Sequence, residues 1–330
     1  MWRTMRRMMW RTIGLGVATA VLGVATSMAA QNYPIRPVVI VVPYPAGGSV
    51  DGVARILAQK LGESLGGSFI VENRAGGAGG TVGANFVAKA TPDGYTLMLT
   101  ASIHVTTPFL FKNVPYDVVK DFTPITLIAA GPLIVSTAPN VPASNLKEFF
   151  DLVRSTPDKF TFATSSFGSA GHLAIELLKR QAGVNTLVIA YKGAGPMLND
   201  IMAGQIQLIA DPMLSSLPLA QAGKIKALAI TSLKRAAAAP DIPTVEESGL
   251  NKLEFVSWYG LWGPKDMPAD LVAQIQSHVV KVLARLEVRQ RLSVLGFESI
   301  GTTSAEFARF IDNEMATYSK IIKDANIKAE

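Results

Sequence analysis

The stretch VVIVVPYPAGGSVDGVARILAQKLGESL, residues 38–65, carries the fold class of the chain. Val38–Val42 is an unbroken apolar run of β-branched residues, the pattern of a strand covered by helices on both faces. From Val50 to Leu65 the apolar residues recur at helical spacing, which predicts a helix. Between the two lies Pro43-Tyr44-Pro45-Ala46-Gly47-Gly48-Ser49. Two glycines let backbone N–H groups point into open space, and the helix start adds its positive partial charge. Such a turn can hold a carboxylate or phosphate without any basic side chain. Asp51 falls in the first helical turn, where its carboxylate can accept from backbone N–H groups and fix the loop. An ordinary capped strand-to-helix turn has the same residues, so this loop alone does not choose between structure and binding.

Working outward, the alternation repeats. Phe69–Glu72, Thr96–Thr100, Ile125–Ala129, Leu133–Ser136, Phe160–Thr164, Leu187–Tyr191, Ile206–Ala210 and Ile225–Ile230 read as further strands. Val82–Lys89, Asn145–Arg154, Ala170–Gln181, Met197–Ala203, Leu217–Ala222, Ala269–Leu286 and Ser304–Asp324 read as helices. The result is an α/β fold with ligands expected at the carboxyl ends of strands. Two runs of chain are candidates for crossings between lobes. One is Leu127–Ser136, where two strand-like runs flank Ala130-Gly131-Pro132; the other is Leu250–Trp262. Two crossings make a hinge able to absorb a closing motion.

A second loop matches the first. Ala163-Thr164-Ser165-Ser166-Phe167-Gly168-Ser169-Ala170-Gly171-His172 follows a strand, opens a helix and clusters hydroxyls and free amides, again without lysine or arginine. Two such helix starts, one per lobe, would face each other across a cleft.

The N-terminus carries a three-part export signal: Arg3, Arg6, Arg7 and Arg11, the apolar run Ile13 to Ala25, then Ser27-Met28-Ala29. Cleavage is expected after Ala29 or Ala30, placing the mature protein in the periplasm. The apolar run is shorter than the roughly 20 residues needed to span a bilayer. Arg6-Arg7 resembles a twin-arginine signal, but Met8, Met9 and Trp10 fit that signal poorly, and the export route stays open between the two. All four leader arginines leave and no acid leaves with them, so the net charge of +6 falls to about +2. Such a near-neutral protein has no electrostatic case for binding nucleic acid.

Of the 330 residues, 49% are hydrophobic and 17% charged, which indicates a folded chain long enough for two domains. Zero cysteines exclude disulfides, thiolate metal sites and cysteine nucleophiles. The three histidines, His104, His172 and His278, form no metal-binding pattern, and no metal or other cofactor is expected. Neither glycine-rich loop ends in the Gly-Lys-Ser/Thr of a phosphate-binding P-loop. In Glu72-Asn73-Arg74-Ala75-Gly76-Gly77-Ala78-Gly79-Gly80 the dinucleotide spacing fails at Val82. That run is read instead as a tight strand-to-helix connection with Arg74 pairing locally. No Gly-x-Ser-x-Gly elbow surrounds Ser49 or Ser169. A secreted hydrolase using Ser49 therefore stands only as an alternative.

These motifs, taken in order, resemble the periplasmic substrate-binding component of tripartite tricarboxylate transporters, often called Bug receptors. The matching segments are Pro43–Asp51, Val71–Gly80, Pro92–Leu97, Tyr116–Pro124, Thr164–His172, Tyr191–Gly193, Pro243–Gly249 and Trp258–Gly260. The resemblance implies a type II periplasmic-binding-protein fold, two α/β lobes joined by two crossing strands with the ligand cleft between them. Residues 1–30 would be the signal peptide, 31–131 and 255–330 lobe 1, and 132–254 lobe 2. It further implies a non-enzymatic receptor, expected as a monomer, that hands a small carboxylate to a large and a small integral membrane subunit driven by an ion gradient. A sensor for signalling is the alternative within the same class. The two loops would pinch one ligand carboxylate, assigning Tyr44, Ala46, Gly47, Gly48, Ser49 and Asp51 to one jaw. Thr164, Ser165, Ser166, Gly168, Ser169 and His172 fall to the other. Ser102, His104 and Asp211 are expected toward the rest of the pocket. There His104 would tune the distal end, and Asp211 would favour a ligand with a hydrogen-bond donor. Trp258, Tyr259 and Trp262 are read as core and hinge packing, and Lys192 as a solvated turn residue.

Overall fold

The uninterrupted apolar run Val38–Val42 forms strand β1, and the periodic segment after the glycines forms helix α1, Ser49–Leu65. This computed structural model describes residues 33–327, and from Pro37 onward they form one compact unit. The chain continues through β2 (Phe69–Asn73), α2 (Thr81–Ala88), β3 (Thr96–Ala101), α3 (Ile103–Leu110) and β4 (Phe122–Thr137). Then come α4 (Leu146–Ser155), β5 (Phe162–Thr164), α5 (Ala170–Ala182), β6 (Val188–Ala190), α6 (Ala194–Met202), β7 (Leu208–Pro212), α7 (Met213–Gln221) and β8 (Lys226–Ile230). Strand β9 (Val256–Pro264) returns, followed by α8 (Ala269–Leu283), α9 (Leu286–Ser293), β10 (Glu298–Ser299) and α10 (Ser304–Asp324). Among the described residues no helix is long and apolar enough to cross a membrane. The expected export signal lies outside the described residues.

Two sheets share strand β4. In the first, β1 pairs in parallel with β2 and β3, and β9 runs antiparallel between β3 and β4. In the second, β5 pairs in parallel with β6 and β7, while β7 and β8 flank β4 antiparallel. The partner exchange falls within one dipeptide: Phe122–Pro132 pairs with β9, and Leu133–Thr137 with β7 and β8. The sequence predicted two short strands around Ala130-Gly131-Pro132, whereas the chain runs through as one strand of 16 residues. Pro132 lacks an N–H, and a proline tolerates the point where one ladder ends and another begins.

A buried hydroxyl, beside backbone bonds, joins β4 to the segment that leads into β9. Thr231, fully buried, accepts from the Leu133 amide at 2.9 Å and donates to the Phe255 carbonyl at 2.5 Å. Beside it, Trp258 and Trp262 bury against Phe307 from the C-terminal helix, in edge-on contacts of 6.0 and 5.0 Å. This matches their reading as core packing.

Two further differences have local causes. Helix α3 was not predicted, because Pro108 and paired threonines break its apolar period; Thr107 donates back to the Ile103 carbonyl at 2.6 Å. The helix expected over Ala269–Leu286 stops at Leu283 and resumes at Leu286, with Arg285 extended between them.

Candidate functional site

At the carboxyl ends of β1 and β5 two loops turn into helices, and a cavity of about 630 Å³ lies between them. That volume suits a small organic ligand. In the first loop Gly47 adopts φ +89°, a conformation that a residue with a Cβ rarely takes. The turn is held from below by Asp51, which is buried and accepts from the Gly47 amide at 3.1 Å, Arg55 Nε at 3.0 Å and Asn73 Nδ2 at 3.1 Å. Asn73 also donates to the Tyr44 carbonyl at 3.1 Å. Burial raises the Asp51 pKa, but Arg55, the Gly47 amide and Asn73 together outweigh it and leave the carboxyl below its ordinary value. Gly48, the residue before α1, has no side chain to cap the helix. Gly48, Ser49 and Val50 border the cavity, and the start of α1 has no side-chain cap for its first amides.

The second loop is built differently. Ser169 caps α5, accepting from the His172 amide at 3.2 Å and sharing a 2.8 Å hydroxyl contact with Thr164. His172 Nδ1 accepts from the Gly168 amide at 3.1 Å. Burial, with a contribution from Lys179, depresses the imidazole to about 4, so it is neutral and able to accept. Gly171 sits where a Cβ would come within 2.0 Å of the Ala210 carbonyl, so α5 starts hard against strand β7. The Gly168 carbonyl accepts from Thr106 on α3 at 2.7 Å, tying this loop to the first sheet's side of the cavity.

Tyr44, Gly48, Ser49, Asp51, Ser102, Ser165, Ser166, Ser169 and Asp211 line the cavity. Ala46, Gly47, Thr164, Gly168 and His172 stand behind it, shaping the loops whose neighbours form the wall. His104 is elsewhere. It is 1% exposed and packs edge-on to Phe122 at 4.7 Å and Trp262 at 5.1 Å, with Tyr116 at 5.5 Å. Burial alone pushes it to about 3. It occupies an aromatic box in the core instead of the distal pocket, because α3 turns it inward. Asp211 is 1% exposed; Ser215 donates to its Oδ2, as does Ser216 at 3.0 Å, and burial raises it to about 6.

Other lining residues were read from the sequence as structure. Ala75–Ala78 and Gly80 form one wall, and a Cβ at Gly80 would come within 2.8 Å of the Pro43 carbonyl. The glycine density of that run was the available signal. Arg74 does pair locally, with Glu72 at 2.5 Å, and stacks 3.6 Å over Phe86. Tyr259, fully buried and stacked on Phe297, donates from its hydroxyl to Ser49 Oγ at 2.8 Å. No local signal marks that contact, since it joins residues 210 positions apart. Lys192 borders the cavity but is exposed. Asp51, Lys192 and Asp211 are the only charged residues on the described wall.

Two α/β sheets sharing a strand, with two helix starts aimed into one cavity, define a solute-binding protein of the periplasmic binding class. The chain belongs to the tripartite tricarboxylate transporter receptor family, whose family model matches residues 53–327. Protein BugT of Bordetella pertussis is 32% identical over 96% of this chain and 97% of its own length. The solved structure of the periplasmic binding protein BugD superposes with a TM-score of 0.85 at 36% identity, covering 90% of this chain and 99% of that one. MatC from Rhodopseudomonas palustris, solved with bound malate, gives 0.82 at 32% identity over 88% and 100%. Another R. palustris protein, solved with adipate, gives 0.87 at 34% over 90% and 99%.

Proposed function

We propose that this chain is an exported periplasmic receptor that captures a small carboxylate and presents it to the membrane subunits of a tripartite tricarboxylate-type transporter. The observation that carries the reading is the pair of helix starts, after Gly48 and after Ser169, bordering one cavity whose described wall holds no arginine and a single exposed lysine. An anion there is met by amide dipoles and hydroxyls. Charge-assisted hydrogen bonds contribute roughly 1.5–3 kcal/mol each, so several supply the about −8 kcal/mol of a micromolar site. Malate and adipate in two related structures are acids of this kind.

The ligand set of this reading is the two loops with Ser102 and Asp211. Lobe boundaries at 131/132 and 254/255 are supported by the partner exchange of β4 between Pro132 and Leu133 and by the Thr231 bond to Phe255. Jaws on different lobes would make each ligand bond favour closure. Ser49 Oγ is engaged by Tyr259, not by a histidine, which favours a receptor over a Ser49 hydrolase. Thermal-shift screening of the mature protein against carboxylic acids tests the function. A stabilising acid recovered unchanged supports it, since ligand at 100 times Kd adds about 2.7 kcal/mol. Steady turnover abolished by Ser49→Ala, or no stabilisation by any acid, overturns it.

A further inference from the structure

Asp211 is the one buried carboxyl on the cavity wall that the loops do not use. Asp51 is consumed by Gly47, Arg55 and Asn73. Asp211 instead stands next to the end of β7, and hydroxyls of Ser215 and Ser216 of α7 both donate to its Oδ2. Those two hydroxyls fix the carboxyl in place. No described basic side chain lies within ion-pair distance of it.

Its place is close to the anion-holding loops. The Ala210 carbonyl abuts Gly171 in the first turn of α5, so the Ala210–Asp211 peptide lies against the start of the second helix. From β9, Tyr259 bonds Ser49 at the start of the first helix, and the Asp211 charge adds to the burial that opposes ionisation of its hydroxyl. Ser257 of β9 completes the neighbouring wall. Among the described residues Lys192, at the exposed turn, is the only cation bordering the cavity.

A ligand carboxylate seated between the helix starts would therefore sit beside an uncompensated buried carboxylate. Like charges in a low-dielectric site repel strongly unless a hydrogen stands between them. We propose that Asp211 accepts a hydrogen bond from a hydroxyl or ammonium on the carbon next to the held carboxylate, so that the receptor selects 2-hydroxy or 2-amino acids over the unsubstituted acids. This rests on the carboxylate reading above and narrows it. Burial raises Asp211 to about 6 against the lowering effect of the Ser215 and Ser216 hydroxyls, and with no described cation beside it a donor on the ligand would favour its charged form.

Titration calorimetry on the mature protein tests it with matched pairs: malate against succinate, aspartate against succinate, and 2-hydroxyglutarate against glutarate, each chiral acid as both enantiomers. Wild type should bind one donor-bearing member at least tenfold tighter than its plain partner. Asp211→Ala should cut that ratio below threefold, and Asp211→Asn should abolish the preference for the amino acid first, because it removes the charge and keeps an acceptor. Wild type binding each pair within threefold, or favouring the plain acids, overturns the donor inference while leaving carboxylate capture intact, and this comparison needs no variant to fold. Asp211→Ala retaining the full preference also overturns it. No binding by any of these acids counts against the inference and, together with a blank thermal-shift panel, against the carboxylate reading itself.

Discussion

The two helix starts that border the cavity solve the same problem in opposite ways. The first begins at an uncapped glycine and is stiffened from behind by an ionised aspartate with three donors. The second begins at a serine whose hydroxyl already serves a helix amide, and is stiffened by a neutral histidine that accepts from Gly168. In the proposed binding mode the first loop would thus leave its amides to the ligand, and the second would present hydroxyls on a pre-bonded frame. A charged brace and a neutral brace also respond to acid differently.

The largest expected effect is at the uncapped start. A Cβ at Gly48 would meet only the Ala194 Cβ, at 3.8 Å, so the backbone tolerates a side chain there. Valine would place its branches in the cavity and screen the amides. Gly48→Val should cost more than tenfold in affinity by calorimetry with little change in melting temperature; unchanged affinity would remove the first helix start from the site.

Acid should separate the two braces. His172 has its pKa depressed from 6.5 to about 4, so the stability it contributes is complete above 6.5 and is lost as pH falls toward 4. The size is on the order of 3 kcal/mol. His104, at about 3, acts in the same direction. Asp51 lies below its ordinary value and holds its brace until pH falls under about 4. Asp211 opposes the histidines: raised to about 6, it lowers stability as pH climbs from about 4 to 6. Denaturant melts of Asp211→Asn between pH 6.5 and 4.5 should therefore fall more steeply with acid than wild type, and those of His172→Gln less steeply. Parallel curves for all three proteins would refute both assignments.

The smallest effects belong to groups that water can replace. Ser165→Ala should weaken binding by less than threefold. Lys192→Ala should change it by less than twofold, since the ammonium is exposed and screened. If Lys192→Ala abolished binding while Gly48→Val did not, the anion would be held by an ion pair and the contrast between the two helix starts would carry no function.

Much of this was legible in the chain itself, wherever a feature depends on neighbours in sequence. Val38–Val42, the glycine turn, the Gly47 and Arg55 bonds to Asp51 and the start of α5 are each set within about ten residues, where φ preference, apolar period and capping chemistry act directly. The order of strands and helices follows from the same local rules, and the matching of two anion-ready turns pointed to a binding protein before any contact was known. Tertiary structure alone decided which side chains share the cavity. It turned His104 into an aromatic box built by Tyr116, Phe122 and Trp262, although its position after β3 also suited the pocket. It brought the Ala75–Gly80 run against Pro43 and Tyr44, set Tyr259 on Ser49, and left Asp211 at the wall with only hydroxyls for company. These outcomes depend on burial and on residues up to 210 positions apart, and pairing over such distances leaves no trace in local spacing.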